Sequence, residues 1–185
     1  MSLYILIPLI LIIAVLVFLV AIYNTLVSKR LRVKESWSDI DVQLKRRSSL
    51  IPNLVESVKG YMKHEKELLT KITELRSAVD NASNKNELGK LDHELTKTLG
   101  QLKIAVEAYP DLKANNSVMQ LQTELSDTED KISFSRRFYN TNVLSYNTSL
   151  QTFPTVLIAP ILGFKAEEFF EASEAERQDV KVDLG

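Results

Sequence analysis

The sequence contains no cysteine, few glycines and prolines, and no charged side chain before Lys29. Without cysteine, the chain has no disulfide, thiolate metal ligand or cysteine nucleophile, and no palmitoylated or lipoprotein-type anchor. Five glycines and five prolines in 185 residues are typical of a chain built from long helices. The glycines are scattered, so no Gly-rich phosphate-binding loop is present. These shortages favour an all-α protein and predict no cofactor.

The longest apolar stretch is residues 3–23, LYILIPLILIIAVLVFLVAIY. About 20 apolar residues in a helix cross a hydrocarbon core of about 30 Å. No basic residue precedes the stretch and no small-residue cleavage motif follows it, so it differs from a signal peptide. Tyr4 and Tyr23 stand near its ends, where interfacial aromatic residues are enriched. We expect a transmembrane anchor over residues 1–28; a buried core helix is the alternative, which the length and apolar purity disfavour.

Basic residues follow this stretch and none precedes it. Lys29, Arg30 and Arg32 come first, and Lys34 is next. The positive-inside rule therefore predicts a single-pass protein with a short external N-terminus and residues 29–185 in the cytoplasm. Lys29, Arg30 and Arg32, together with the two tyrosines, are the expected membrane-interface residues.

A second basic group, Lys45-Arg46-Arg47, is followed by Ser48-Ser49. It has no interleaved aromatic residues, so it is a weak nucleic-acid signal, and the net charge of −1 favours no polyanionic partner. Cations are favourable near a helix C-terminus. We interpret the group as the end of a helix and expect no nucleic-acid partner.

Heptad-like apolar spacing predicts about four helices after the anchor. The first is expected to end at Ser48-Ser49, with Pro52 in the first turn of the second. The second runs through Tyr61 and Glu65 to Val79, and the third, capped by Asn84, ends near Val106. A capping box at Ser117–Gln120 opens the longest helix. Short turns favour an antiparallel bundle over residues 29–152.

The longest predicted helix carries Tyr-Asn twice, at Tyr139-Asn140 and Tyr146-Asn147. Both tyrosines share one heptad position, which predicts buried rings whose hydroxyls need partners. The expected structural seam consists of Trp37, Leu125, Ile132, Tyr139, Tyr146 and Phe153. The alternative is a polar groove for a ligand or partner, whose contacts would be Phe134, Phe138, Asn140 and Asn147.

Residues 153–185 form a third predicted region, beginning with an apolar stretch to Phe164 that is too short to span a bilayer. This stretch caps the bundle or lies on a surface, two alternatives that the sequence leaves open. The segment KAEEFFEASEAERQ, residues 165–178, predicts a short acidic amphipathic helix, followed by a loose tail.

Catalytic and metal-binding patterns are weak throughout. His64-Glu65 is followed by Leu68, where a zinc protease motif needs a second histidine. Carboxylates that could in principle frame a cation occur on two predicted helices, at Asp39, Asp41, Glu124, Asp127 and Glu129. Their helical surface spacing is more typical of a solvated face. We predict no catalytic residue, no metal site and no enzyme activity.

Several long motifs resemble the LemA family of bacterial membrane proteins. They are YNTLV after the apolar stretch, VKESWSDIDVQLKRRSSLIPNLVESVKGYMKHE, AYPDLKANNSVMQLQTELSDTEDKISFSRRFYNTNVLSYNTSLQTFP and GFKAEEFFEA. SSLIPNLV departs from the family pattern, in which Asp commonly precedes the leucine. The resemblance implies an N-terminal membrane helix, a cytoplasmic antiparallel bundle, and the inner membrane of a bacterium. It carries over no catalytic residue. Family members are similar to a magnetosome membrane protein, which favours the organisation of membrane complexes.

Two functions follow from these patterns. The first is a membrane-anchored cytoplasmic adaptor or scaffold that binds membrane-protein partners and self-associates as a homo-oligomer. The second is membrane shaping or lipid-surface binding by the basic residues 29–34 and the apolar residues 153–164.

Overall fold

The computed structural model describes residues 3–170, with side chains from residue 6 onwards. It contains six helices: α1 (Leu3–Val58), α2 (Lys66–Asp80), α3 (Lys85–Val106), α4 (Pro110–Lys113), α5 (Asn116–Gln151) and α6 (Thr155–Ile158). No strand occurs among residues 3–170. The all-α prediction, with one long apolar N-terminal helix followed by further helices, is confirmed. The side chain of Tyr4 lies outside the described residues.

By contacts, the chain divides into two compact units. The described part of unit 1 comprises residues 3–38 and 138–169, and that of unit 2 comprises residues 39–137 and Phe170. Helices α1 and α5 contribute residues to both units. These units divide the chain differently from the segments 1–28, 29–152 and 153–185, which stay a sequence-based interpretation.

Helix α1 begins in the apolar stretch and continues without interruption to Val58. It is the one helix in the described part that is long and apolar enough to cross a membrane. The large apolar side chains of residues 6–18 are exposed, which is the pattern of a surface that faces lipid. This apolar helix suggests that the chain is anchored in a membrane.

The predicted helix break at Ser48-Ser49 is wrong, because α1 passes through Pro52. Proline has no N–H to donate to the carbonyl four residues earlier, a loss that with steric strain costs about 3 kcal/mol in a helix interior. Arg76 of α2 supplies a substitute donor, since its Nε lies 2.9 Å from the Ser48 carbonyl oxygen. The Ser48 hydroxyl in turn donates to Asp80 over 2.8 Å. A side chain from a neighbouring helix thus satisfies the carbonyl that Pro52 leaves without a partner.

The predicted second helix is split by a turn over residues 59–65. Gly60 lies in this turn, and glycine is a poor helix former. The turn shifts the apolar register, so that Met62 is buried where the sequence pattern placed Tyr61, which is exposed. Glu65 was predicted within a helix, but it precedes α2 and accepts a hydrogen bond from the Tyr109 hydroxyl over 3.1 Å.

Two asparagines cap the later helices. The Asn84 side chain accepts from the Glu87 amide over 2.8 Å, so the predicted cap of α3 is confirmed. The capping box at Ser117 is wrong, because the Asn115 side chain accepts from the amides of Ser117 and Val118 over 3.0 and 3.3 Å. Helix α5 therefore begins one residue before Ser117, at Asn116.

Unit 2 buries an aliphatic core contributed by α1 to α5 and the turns between them. Its buried members are Ile51, Leu54, Val58, Met62, Leu69, Ile72, Leu75, Val79, Leu95, Leu102, Val106, Leu112, Val118 and Leu125. Such aliphatic rows at seam positions are what packs antiparallel helices together. Helices α2 and α3, joined by a short turn, pack directly on each other.

Candidate functional site

An open groove in unit 2 contains one of the predicted partner contacts, Phe134. The groove has a volume of about 440 Å³ and is lined by Asp39, Gln43, Asp127, Asp130, Lys131, Phe134 and Ser135. Residues three and four apart lie on one helical face, so Asp39 and Gln43 of α1 form one wall. Asp127, Asp130 and Phe134 of α5 form the other. Three carboxylates, one lysine and an aromatic ring therefore line one opening, with acidic side chains in excess.

The ring of Phe134 is 64% exposed. Gln43 Oε1 is buried beside the groove and accepts no hydrogen bond from any described residue. A groove with this lining suits a segment that carries basic and apolar side chains, because opposite charges steer encounter and fix register.

The carboxylates considered for a cation do not assemble. Asp39 and Asp127 line the groove, whereas Asp41 pairs with Lys45 over 2.6 Å and Glu129 pairs with Arg47 over 2.8 Å. Among residues 6–170, no three His, Asp or Glu side chains are grouped closely enough to hold a metal ion. The described part of the chain thus offers no preformed metal centre.

A buried ion network lies in the middle of unit 2. The Arg47 side chain is 1% exposed and forms an ion pair with Asp92 Oδ1 of α3, which is buried to the same degree. The other terminal nitrogen of the Arg47 guanidinium donates hydrogen bonds to Glu129 Oε2 of α5 over 2.8 Å and to Thr96 Oγ1 over 3.0 Å. The Thr96 hydroxyl also donates to Glu129 over 2.9 Å. The network links α1, α3 and α5.

Burial raises the pKa of Asp92, and the nearby Glu129 charge adds to this, whereas the guanidinium groups of Arg47 and Arg136 oppose it. Arg136 NH1 lies 3.7 Å from Asp92 Oδ2. Arg136 also lies over the ring of Phe170, with its guanidinium carbon 5.8 Å from the ring centre. A buried ion pair is weak evidence for stability, and what this network provides is a set of polar contacts that join three helices.

The prediction that Arg47 serves a helix C-terminus is wrong, because α1 does not end there. A usable signal was present in the sequence. Arg47 stands three residues after Leu44 and four before Ile51, and Asp92 stands three residues before Leu95. Charged residues of opposite sign at seam positions of two helices predict a buried pair.

In unit 1, two of the predicted seam residues meet directly. The rings of Trp37 and Tyr139 pack edge to face with centres 5.4 Å apart. Tyr139 and Tyr146 are fully buried, and Leu125 and Ile132 are buried in unit 2. Phe153 does not join them, because α5 ends at Gln151 and the Phe153 side chain is 81% exposed.

The two tyrosine hydroxyls differ in their partners. Tyr139 donates to the backbone carbonyl of Glu168 over 2.7 Å. The Tyr146 hydroxyl is buried without a hydrogen-bond partner among the described residues, and burial raises its pKa, with the charges of Arg30 and Glu167 acting in opposite directions.

Asn147 binds the backbone of residues 164–169, a non-helical segment that the sequence pattern had predicted to be helical from residue 165. Its Nδ2 donates to the Glu167 carbonyl over 2.9 Å, and the Glu167 amide donates to Asn147 Oδ1 over 3.0 Å. One amide side chain thus supplies a donor and an acceptor to both backbone groups of the same residue, Glu167. These contacts recognise main chain, as in strand addition to a sheet edge.

The remaining predicted residues are more exposed. Asn140 is half-buried and Phe138 is exposed, and both belong to unit 1. Lys29 Nζ donates to the Ser145 carbonyl over 3.3 Å and to Ser149 Oγ. Arg30 lies 3.9 Å from Glu167, and Arg32 is exposed. The ring of Tyr23 meets that of Phe164 edge to face at 5.7 Å.

Comparison with known proteins agrees with the sequence motifs. A family model described as the LemA family matches residues 36–184. The chain is 35% identical over 158 residues to Protein LemA of Metamycoplasma hominis, and this alignment covers 85% of the chain and 72% of that protein.

Weaker similarity extends to two magnetosome proteins. The chain is 25% identical over 179 residues to Magnetosome protein MamQ of Magnetospirillum gryphiswaldense. It is 26% identical over the same length to Magnetosome protein MamQ 1 of Paramagnetospirillum magneticum. Each alignment covers 83% of this chain but only 66% of the relative. The family match covers most of the sequence, and the chain belongs to the LemA family.

Proposed function

We propose that this chain is a membrane-anchored adaptor that binds other membrane proteins, self-associates and catalyses no reaction. The apolar part of α1 holds it in the cytoplasmic membrane of a bacterium, and residues 29–185 lie on the cytoplasmic side. The basic residues that begin at Lys29, with none in the sequence before it, support this orientation.

The observation that carries the proposal is the acidic groove of unit 2 with Phe134 at its edge. Cytoplasmic segments next to membrane helices are rich in lysine and arginine. Such segments combine basic side chains with flanking apolar and aromatic ones, and therefore match a groove of carboxylates beside an exposed ring. An arginine-rich or lysine-rich juxtamembrane segment of another membrane protein is the partner that fits best.

The buried charges of unit 2 support a binding role rather than a chemical one. Asp92, whose pKa is raised by burial, is engaged by Arg47 and neighboured by Arg136, so its carboxylate is not open to a substrate. The groove carboxylates, in contrast, face an opening and can neutralise incoming basic side chains.

The test is site-specific photo-crosslinking of the full chain in its native membrane. A photoreactive phenylalanine analogue at Phe134 should capture other membrane proteins or a second copy of the chain. The matched control is the same analogue at Ile104, an apolar position on α3 that is 75% exposed. Charge reversal by Asp127→Lys with Asp130→Lys should abolish capture at Phe134 while the helical circular dichroism is unchanged.

Equal capture at Phe134 and Ile104, or capture that survives the charge reversal, would contradict a specific acidic docking groove. Capture of a second copy alone would support self-association and contradict the proposal that the groove binds other membrane proteins.

A further inference from the structure

The polypeptide between the end of α5 and Phe164 lies on the surface and is apolar. We call this segment, which includes the short helix α6, the loop. From Phe138 to Phe164 the sequence has no charged side chain. Large apolar side chains in the loop are exposed, and they are Phe153, Val156, Leu157, Ile161 and Leu162. Ile161 is 83% exposed and Leu157 64%. A contiguous apolar surface of this kind on a protein marks a contact with another protein or with a membrane.

Contacts within unit 1 fix where this loop lies along α1. Tyr139 of α5 packs on Trp37, and Ser149, ten residues later, binds Lys29. The two helices therefore run in opposite directions, and α5 ends two residues after Ser149, at Gln151. The chain that follows lies beside the part of α1 that precedes Lys29.

The return point of the loop confirms this placement. Phe164, which ends the loop, meets the ring of Tyr23, the last residue of the apolar stretch. Tyr23 lies about 9 Å from Lys29 along the helix axis, at about 1.5 Å per residue. Among the described residues 6–23, only Leu19 and Ile22 are less than exposed. They lie on the same face of α1 as Tyr23 and the buried Leu26.

Six backbone amides of the loop donate hydrogen bonds to carbonyls of the same segment, which matters wherever water is scarce. The amides of Val156, Leu157, Ala159, Leu162, Gly163 and Phe164 all donate to carbonyls between Thr152 and Pro160. Irregular backbone exposed to lipid is not tolerated in the hydrocarbon core, because unpaired groups cost several kcal/mol each. A self-bonded loop with apolar side chains suits the membrane interface, where shallow insertion is favourable.

We propose that residues 153–162 insert into the lipid interface beside α1, in the leaflet on the side of Lys29. The chain then holds its bilayer at two points, through the spanning helix and through this loop. The second contact fixes the depth and rotation of unit 1, because Phe164 ties the loop to Tyr23 and Asn147 ties the following segment to α5. This inference is independent of the acidic groove.

Depth-dependent fluorescence quenching tests the proposal on the full chain. The chain has no cysteine, so Ile161→Cys creates a single site for an environment-sensitive fluorophore, and Ile104→Cys is the matched exposed control. Both proteins are reconstituted into vesicles of phosphatidylethanolamine and phosphatidylglycerol. We expect the probe at position 161 to be quenched by lipids with a nitroxide near the headgroup and to lose quenching by aqueous iodide. The control should behave in the opposite way.

Two results would overturn the proposal. Iodide quenching at position 161 equal to that at position 104 would place the loop in water. A probe at position 161 shielded from iodide and unquenched by nitroxide lipids would mean that protein, such as a second copy, covers the loop.

A charged variant provides an independent check. Leu157→Asp with Ile161→Asp places two carboxylates in the loop, and a probe at Phe153→Cys should then lose its lipid quenching and gain iodide quenching. Circular dichroism should be unchanged, because both replaced side chains are exposed. Lipid quenching that persists in this variant would contradict insertion of the loop.

Discussion

The two units of this chain are built on the same two long helices but held together by different chemistry. In unit 2, aliphatic side chains fill the core around the buried pair of Arg47 and Asp92. In unit 1, the positions of α5 that continue the same seam carry Tyr139, Val143 and Tyr146, and the neighbouring side chain of Asn147 makes hydrogen bonds. The heptad spacing of the seam on α5 thus continues from one unit into the other, while its side chains change from mainly aliphatic to mainly aromatic and polar.

The reason for the change is the kind of neighbour that each unit supplies. Helices satisfy most of their own backbone groups, so the backbones of α2 and α3 need few hydrogen-bond partners from the rest of unit 2. Residues 164–169 are not helical, and their backbone groups require partners from elsewhere. Tyr139 and Asn147 provide three hydrogen bonds to Glu167 and Glu168. In unit 1, therefore, polar side chains of the α5 seam bind a non-helical neighbour.

Among single substitutions that remove a polar contact, the largest effect that we expect is in unit 2, at Arg47→Met. This change leaves Asp92 buried without its main partner, which should lower the free energy of unfolding by about 3–5 kcal/mol. Urea unfolding of the detergent-solubilised chain, followed by circular dichroism, measures it. The penalty should shrink on acidification, because a carboxyl group whose pKa is raised by burial takes up a proton and loses its charge.

The matched control is the double variant Arg47→Met with Asp92→Leu. Replacing both members of a buried ion pair by apolar groups is often neutral or stabilising, so much of the loss should be restored. A double variant as unstable as the single one would show that Arg47 contributes through Glu129 and Thr96 instead.

The sequence predicted an all-α chain with one long apolar N-terminal helix, because apolar spacing, apolar length and the scarcity of helix breakers report these features directly. It failed at Ser48 and Pro52 for a physical reason. Whether a proline ends a helix depends on a substitute donor, and that donor is Arg76, twenty-eight residues away. Local signals carry no information about such a partner. The same limit applies to residues 165–170, where an amphipathic pattern is held out of helical form by contacts with α5.

A smaller effect is expected in unit 1, from two otherwise equivalent substitutions. Tyr139→Phe removes a hydroxyl that donates to Glu168 and should cost roughly 1 kcal/mol, up to about 3 kcal/mol if the carbonyl stays unpaired. Tyr146→Phe removes a buried hydroxyl without a described partner, so it should be neutral or slightly stabilising. The measurement is urea unfolding together with hydrogen exchange of the peptide that contains residues 164–170.

The heptad pattern could predict burial of both tyrosine rings but not this difference between their hydroxyls. Equal losses of stability in Tyr139→Phe and Tyr146→Phe would contradict this difference and point to a buried water or an unrecognised partner at Tyr146.

Burial of the two rings is tested separately. Tyr139→Ala and Tyr146→Ala should each lower the free energy of unfolding by an amount on the order of 3–5 kcal/mol, by analogy with Phe→Ala.

Asn147 offers a narrower change within the same contact. Asn147→Asp keeps an acceptor for the Glu167 amide but replaces the donor with a second oxygen facing the Glu167 carbonyl. We expect a local loss of about 1 kcal/mol from the missing hydrogen bond, seen as faster hydrogen exchange in residues 164–169. Exchange in unit 2 should not change. Uniformly faster hydrogen exchange over both units would mean that Asn147→Asp destabilises the whole chain and does not open residues 164–169 locally.

The smallest effect is expected at an exposed ion pair of unit 2. Comparing this pair with the buried pair of Arg47 and Asp92 tests how much burial contributes. Lys71 of α2 lies 2.8 Å from Glu94 of α3, and both side chains are about half exposed. The Lys71 hydrogen bond and charge lower the pKa of Glu94 below its ordinary value of 4.5. A carboxyl group with a lowered pKa stabilises the folded state above its unfolded pKa, and this contribution is lost as pH falls through the folded pKa.

Lys71→Met should therefore lower stability slightly near neutral pH and have no effect in acid below the folded pKa of Glu94. About 1 M salt should also reduce the difference, because the screening length then falls to about 3 Å and both side chains are exposed to solvent. The penalty of Arg47→Met should survive the same salt, since its charges are buried. If salt reduced both penalties equally, then the Arg47 network would be accessible to water, and burial would not distinguish it from the exposed pair of Lys71 and Glu94.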